Sequence, residues 1–205
     1  DISQLGFRIP AETLRRLWQM CAHQHGQLLN LSNLGLAMGL SHTTIRSYIE
    51  LLSQTFMLRI LPPYSANIKK RLVKSPKIYL RDTGILHALL GIHDMDELLG
   101  HPIYGASWES LMIENILQKY SSWNFGFYRT AAGAELDLIL ERAGKKIGIE
   151  FKASPSPKLT KGFWNALEDL QLNSAFIIAP VKGSFPIHKN VWVMSLTDFL
   201  EKNIF

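Results

Sequence analysis

Two carboxylates and an ammonium group fall at a spacing that strand geometry can turn into one site: Asp137, then Glu150 and Lys152. Residues 135–141 and 145–153 both read as strands, joined by a turn containing Gly144. Thirteen positions separate Asp137 from Glu150, so adjacent antiparallel strands are the expected arrangement. Side chains alternate across a strand. Alternation sets Asp137 on one face and Leu136, Leu138 and Leu140 on the other. In the next strand Ile147, Ile149 and Phe151 share a face, and Gly148, Glu150 and Lys152 share the opposite one. The apolar sides pack while Asp137, Glu150 and Lys152 gather.

Hard dications such as Mg²⁺ bind carboxylate, carbonyl and water oxygens, and Mn²⁺ accepts the same donors. Asp137, Glu150 and the Phe151 carbonyl offer such a set, and Glu109, in the first turn of a helix expected over 107–120, completes it. A metal there lowers the pKa of bound water and neutralises charge on a phosphate. Lys152 is suited to orient the attacking water or to stabilise developing negative charge. A plainer reading stands beside this one. Glu109 can complement a helix dipole, and Asp137 and Glu150 can be solvent-facing strand residues with Lys152 as a cross-strand partner. Against that, carboxylates inside strands this apolar are costly to bury without a metal or a cation.

The elements that must position these residues follow from periodicity. Leu14, Leu17, Trp18 and Cys21 recur at helical spacing over 10–25, and a short second helix follows over 31–38. Ser41 is placed to cap a third helix over 42–55, with Ile45, Ile49 and Leu52 inward. Residues 56–61 and 78–80 read as strands around a basic loop. Helix, helix, turn, helix, strand, loop, strand is the order of a winged helix-turn-helix. Short helices are expected over 84–90 and 95–99. The second half reads helix, three strands, helix, strand, then strands and helices at 191–194 and 196–202. The expected fold class is α/β, α+β over the whole chain: a winged helix-turn-helix with a helical linker in residues 1–100, then a mixed-sheet α/β domain in 101–205.

The stretch 133–138, Gly-Ala-Glu-Leu-Asp-Leu, followed by 149–154, Ile-Glu-Phe-Lys-Ala-Ser, resembles the motif of the PD-(D/E)xK nucleases. Glu109 within Trp108-Glu109-Ser110-Leu111 matches the acidic residue that superfamily often carries on its first core helix. Leu136 stands where the motif's name has proline. Lys158 and Lys161 are candidates for a further polar residue on the following helix. The resemblance implies a restriction-endonuclease-like domain. Over nearly its full length the chain also resembles the C-terminal region of a prokaryotic family of AAA+ ATPases, on Leu61-Pro62-Pro63-Tyr64, on 74–79 and on Arg81-Asp82-Thr83-Gly84. That resemblance implies an upstream ATPase domain. No Walker A sequence occurs in these 205 residues, so ATP hydrolysis is not expected of them.

A recognition helix would present His42, Thr43, Thr44, Arg46 and Ser47 to DNA, with Glu50 opposing phosphate. The wing adds Lys69, Lys70, Arg71, Lys74 and Lys77, five cations in nine residues, suited to salt-sensitive phosphate contacts. A solvated hairpin tip or a protein-binding wing is the competing reading. The formal net charge of +5 favours polyanion partners without requiring them. Cys21 is the single cysteine, which excludes an internal disulfide and suits a buried apolar role and a cytoplasmic location. No apolar run reaches the ~18 residues of a transmembrane helix, so no membrane role is expected. The chain opens at Asp1, as a fragment or processed product would. The expectations are thus DNA as partner, Mg²⁺ or Mn²⁺ as cofactor, and either metal-dependent cleavage, inactive DNA binding, or regulation and assembly of an attached ATPase.

Overall fold

The computed structural model describes residues 9–65 and 70–201. The N-terminal half runs α1 (Ala11–His23), α2 (Leu31–Met38), α3 (His42–Gln54), β1 (Leu58–Leu61), β2 (Lys77–Leu80), α4 (Thr83–Leu90) and α5 (Met95–Gly100). Local signals explain these boundaries. Asn30 caps α2 by accepting the Asn33 N–H, and Gly39 ends it at φ 67°, a left-handed turn that suits glycine. The Ser41 hydroxyl caps α3 by accepting the Thr44 N–H. Leu14, Leu17 and Cys21 of α1 pack with Leu34, Ile45, Ile49 and Leu52 and with Leu58, Ile78 and Leu80 of the β1–β2 pair. The two strands are antiparallel, with Leu58 opposite Leu80.

The second half holds α6 (Tyr104–Lys119), β3 (Asn124–Arg129), β4 (Glu135–Arg142), β5 (Lys145–Phe151), α7 (Lys161–Leu170), β6 (Ser174–Ile178), β7 (Ser184–His188), β8 (Val191–Met194) and α8 (Leu196–Glu201). Its six-stranded mixed sheet has the order β3-β4-β5-β6-β8-β7. The β3-β4-β5 neighbours are antiparallel, β5-β6-β8 are parallel, and β7 returns antiparallel on β8. On one face Met112, Ile113 and Ile116 of α6 and Phe199 of α8 cover Leu138, Leu140, Ile147, Ile149 and Phe176. On the other, Phe163, Ala166 and Leu170 of α7 cover Leu136, Ile139, Ala175 and Ile177. A mixed α/β architecture is therefore present, as expected. The strand β7 was not foreseen: all five of its residues are exposed and it contains Pro186, so it lacks the buried alternation that marks a strand in sequence.

The two halves are fastened by polar contacts. His25 accepts the Leu80 N–H at Nδ1 (3.0 Å), and its Nε2 lies 3.2 Å from the Ala106 carbonyl of α6. Glu114 of α6 accepts from Arg59 of β1, at 2.8 Å for Nη2, and from Arg81 just after β2, at 2.7 Å for Nε. The described stretches 62–64 and 71–73, between β1 and β2, run along the free edge of β3. Phe127 donates to the Pro62 carbonyl and accepts from the Tyr64 N–H, while Val73 N–H reaches Arg129 and Ala131 N–H reaches Arg71. This covers a sheet edge that would otherwise present unpaired backbone groups. No helix among the described residues is long and apolar enough to cross a membrane.

Candidate active site

Asp137 lies at an irregularity in β4. Gly126 pairs with Ile139 but Tyr128 pairs with Leu136, so two residues of β4, Asp137 and Leu138, stand opposite the single residue Phe127. That is a β-bulge, and it reverses the alternation of side chains beyond it. Leu138 and Leu140 therefore pack beneath α6, whereas Leu136 joins Ile139 beneath α7. The expectation that Leu136, Leu138 and Leu140 share one face is corrected by this extra residue. The bulge turns the Asp137 carboxylate toward the α6 side, where Oδ2 accepts the Phe151 N–H at 2.9 Å.

Glu109 meets it from α6. Because α6 begins at Tyr104, Glu109 lies in the second turn and not the first, and the first turn contains no acidic residue. Dipole compensation, which fades within the first turn, does not account for it. Its Oε1 accepts from the Tyr79 hydroxyl at 2.5 Å and from Lys77 Nζ at 3.3 Å. Burial, with the Asp137 charge second, pushes the Glu109 pKa up to about 7 against the pull of Lys77. Burial and then Asp137 likewise push Glu150 up to about 8, against Lys152. The Glu150 Oε1 accepts from Lys152 Nζ at 2.7 Å. Its Oε2 is buried without a hydrogen-bond partner among the described residues, a position costly for a carboxylate oxygen. For Lys152, burial opposes the charged form, but Glu150, Asp137 and Glu109 outweigh it and raise its pKa.

The structure thus brings together the four expected residues, Glu109, Asp137, Glu150 and Lys152, from α6, β4 and β5. It adds three others. Lys77 is 5 % exposed. Its Nζ lies 3.3 Å from Glu109, 3.3 Å from Glu135 and 3.8 Å from Asp137. Lys77 is therefore not the solvent-facing wing cation expected: as the first residue of β2 it is turned inward. Tyr79 was likewise not foreseen, and neither was the role of Glu135. Strand alternation at 77–80 carried the signal, since Lys77 and Tyr79 share a face opposite Ile78 and Leu80. Lys158 and Lys161 are exposed and form no ion pair among the described residues.

Four carboxylates stand against two ammonium groups and the Arg129 guanidinium, 3.7 Å from Glu135, leaving an excess of one negative charge when all are ionised. The hard oxygen donors, the excess charge and the unpartnered Glu150 Oε2 fit a dication of the Mg²⁺ class. Among the described residues no group of three or more histidine, cysteine or acidic side chains is drawn together tightly enough to hold an ion as it stands. Lys77 pairs with Glu109, Glu135 and Asp137, and Lys152 with Glu150.

Of the residues expected to meet DNA, His42, Thr43, Arg46 and Ser47 are exposed on the first turns of α3, and Thr44 is half-buried. The Ser41 hydroxyl is shared with those of Thr43 and Thr44, at 2.8 and 2.7 Å. His42, Arg46 and Glu50 line an open groove of about 720 Å³ together with Lys74 and Ser75. Arg71 and Lys74 are exposed, whereas Lys70 is paired with Asp169 of α7 at 2.5 Å. On either side of residues 66–69, which lie outside the described residues, Pro62, Tyr64, Arg71 and Val73 bond through their backbone to β3 and the turn after it. Lys69 lies outside the described residues.

Comparison with known proteins divides the chain in two. Residues 1–96 match the family described as "Domain of unknown function (DUF8612)". Residues 104–199 match "Domain of unknown function (DUF4143)". The chain is 42 % identical over 191 residues to "Uncharacterized protein Rv2008c" of Mycobacterium tuberculosis and, to the same extent, to "Uncharacterized protein Mb2031c" of Mycobacterium bovis. The match takes in 93 % of this chain but 43 % of each relative, so the chain spans less than half the length of the curated relatives it matches. No solved structure matches it.

Proposed function

We propose that the chain is the nucleic-acid-processing part of a longer protein. In this reading the second half is a PD-(D/E)xK-like phosphodiesterase site, and the first half is a winged helix that holds DNA beside it. The observation that carries the reading is the under-neutralised set of the buried Glu150 and the partly buried Glu109 and Asp137, with Lys152 beside it. Asp137 and Glu150, with the Phe151 carbonyl, would hold Mg²⁺ or Mn²⁺, and Glu109 would support them. The bound ion would supply an acidified water and charge neutralisation at the phosphate. Lys152, kept protonated by its acidic neighbours, would orient the nucleophile or stabilise the charge that develops. The exposed His42, Thr43, Arg46, Ser47, Arg71 and Lys74, with the half-buried Thr44, would contact DNA, chiefly its phosphates.

The test is cleavage of single- and double-stranded DNA in Mg²⁺ or Mn²⁺ by the purified chain, alongside Asp137→Ala and Lys152→Ala. Cleavage by the wild type alone is expected, with losses on the order of 10²-fold or more in each variant. Equal cleavage by all three would point to a contaminant and remove the assignment.

One observation favours a second reading. Lys77 and Lys152 already engage Glu109, Asp137 and Glu150, an arrangement that stabilises the carboxylates without a metal. The chain would then be an inactive DNA-binding or regulatory module, coupled to an AAA+ ATPase in the remaining length that its relatives possess. Salt-sensitive DNA binding without any cleavage selects this reading. Absence of Walker motifs from the upstream coding sequence removes its ATPase half.

A further inference from the structure

We propose that Lys77 is a built-in counter-ion that competes with a dication for the carboxylate cluster, so that loading of the site and the seating of β2 against α6 are opposed. The inference rests on the metal-site reading above and names how that site is regulated. Lys77 comes from the N-terminal half, yet its ammonium lies among Glu109, Glu135 and Asp137 at 3.3, 3.3 and 3.8 Å. It also sits 5.4 Å from the centre of the Phe127 ring. A buried ammonium is tolerable only with such partners, and a cluster with excess negative charge is tolerable only with such a cation.

The Lys77 ammonium touches two of the three carboxylates assigned to the metal. A dication bound to Glu109 and Asp137 would meet it at close range in a poorly screened pocket, where like charges repel strongly. The ammonium must then withdraw. Its backbone gives it little slack: Lys77 is bridged to Leu28, and the neighbouring Ile78 N–H donates to Gln27 while its carbonyl accepts from Gly26. Withdrawal therefore strains the hold of β2 on both α6 and the turn after α1. Conversely, a partner or DNA that shifts β2 would uncover the carboxylates and raise metal affinity. Tyr79, which donates to the same Glu109 oxygen as Lys77, keeps that carboxylate in place when the ammonium leaves.

The experiment is a Mn²⁺ titration of the whole chain, followed by electron paramagnetic resonance of free Mn²⁺, for wild type, Lys77→Met and Lys77→Met/Asp137→Asn. Methionine keeps much of the length and removes the charge. The expected result is about tenfold tighter Mn²⁺ binding by Lys77→Met, abolished by the added Asp137→Asn. Thermal unfolding with and without Mn²⁺ is measured in parallel, and a larger Mn²⁺-dependent rise in Tm is expected for Lys77→Met. Should Lys77→Met fail to fold without metal, recovery of the fold on adding Mn²⁺ supports the competition, and continued failure overturns it. Equal affinity in wild type and Lys77→Met overturns the inference and leaves the metal site standing. Binding by neither protein overturns both.

Discussion

Lys77 and Glu109 are 32 positions apart in the chain, yet their charged groups lie 3.3 Å from each other. One belongs to the β1–β2 pair, the other to the helix that covers the main sheet. The candidate site is therefore built by both halves together, and contacts that seat one half on the other bear on its chemistry.

Glu114 is the first such contact, receiving Arg59 and Arg81 at once. Its side chain is 15 % exposed and those of the arginines 18 % and 28 %, so solvent screens the group only in part. Glu114→Ala leaves two guanidinium groups without their carboxylate. A loss of roughly 2–3 kcal/mol is expected, somewhat below the cost of breaking a fully buried pair. Chemical denaturation measures it. A change within a few tenths of a kcal/mol would show that this fork contributes nothing to the seating.

His25 makes the seating sensitive to pH. The Leu80 N–H donates to Nδ1, and Nε2 is left to donate to Ala106, so the ring is bound neutral. Burial lowers its pKa from 6.5 to about 4, outweighing the hydrogen bond to Ala106 that acts the other way. Between those values the unfolded chain takes up a proton that the folded chain refuses. Stability from this group is therefore complete above about pH 6.5, falls as pH drops toward 4, and levels off below, with a total loss of up to about 3 kcal/mol. Unfolding free energies across this range should decline less steeply in His25→Gln. Parallel curves would remove His25 as the cause.

Gly126 marks where the covering segment crosses β3. A Cβ built there would lie 2.8 Å from the Pro62 carbonyl oxygen and 2.9 Å from the Tyr64 nitrogen. Those are backbone atoms with little freedom to retreat. Gly126→Ala should cost roughly 1–3 kcal/mol, as overpacking does, and should speed hydrogen exchange at the Tyr64 and Phe127 amides. Unchanged exchange at both would mean that the segment accommodates the methyl group without leaving the edge.

Arg46 and Lys74 line one groove and are exposed, whereas Lys77 is buried among acids. If the groove receives DNA, Arg46→Ala and Lys74→Ala should each weaken binding and reduce the slope of log affinity against log salt by about 1. Lys77→Met should leave that slope unchanged. Fluorescence anisotropy over a salt series measures all three. An unaltered slope in the first two variants would place the interface elsewhere.

Periodicity, capping residues and glycine positions made α1, α2 and α3 legible, because these are local preferences that the packed structure then satisfied. The mixed sheet was legible in outline for the same reason, with β7 escaping because an exposed edge strand containing proline has no buried alternation to reveal it. The spacing of Asp137, Glu150 and Lys152 sufficed to nominate one site, since two antiparallel strands joined by a short turn must bring such residues close. Three things depended on the tertiary structure. The bulge at Asp137 and Leu138 re-aims a carboxylate through a mismatch between two strands, which neither strand encodes alone. The second-turn position of Glu109 follows from where α6 begins against its neighbours. The inward turn of Lys77 reflects the cost of burying excess negative charge: a lysine that reads as a surface cation in isolation becomes the counter-ion of acids far along the chain once folding sets β2 beside α6.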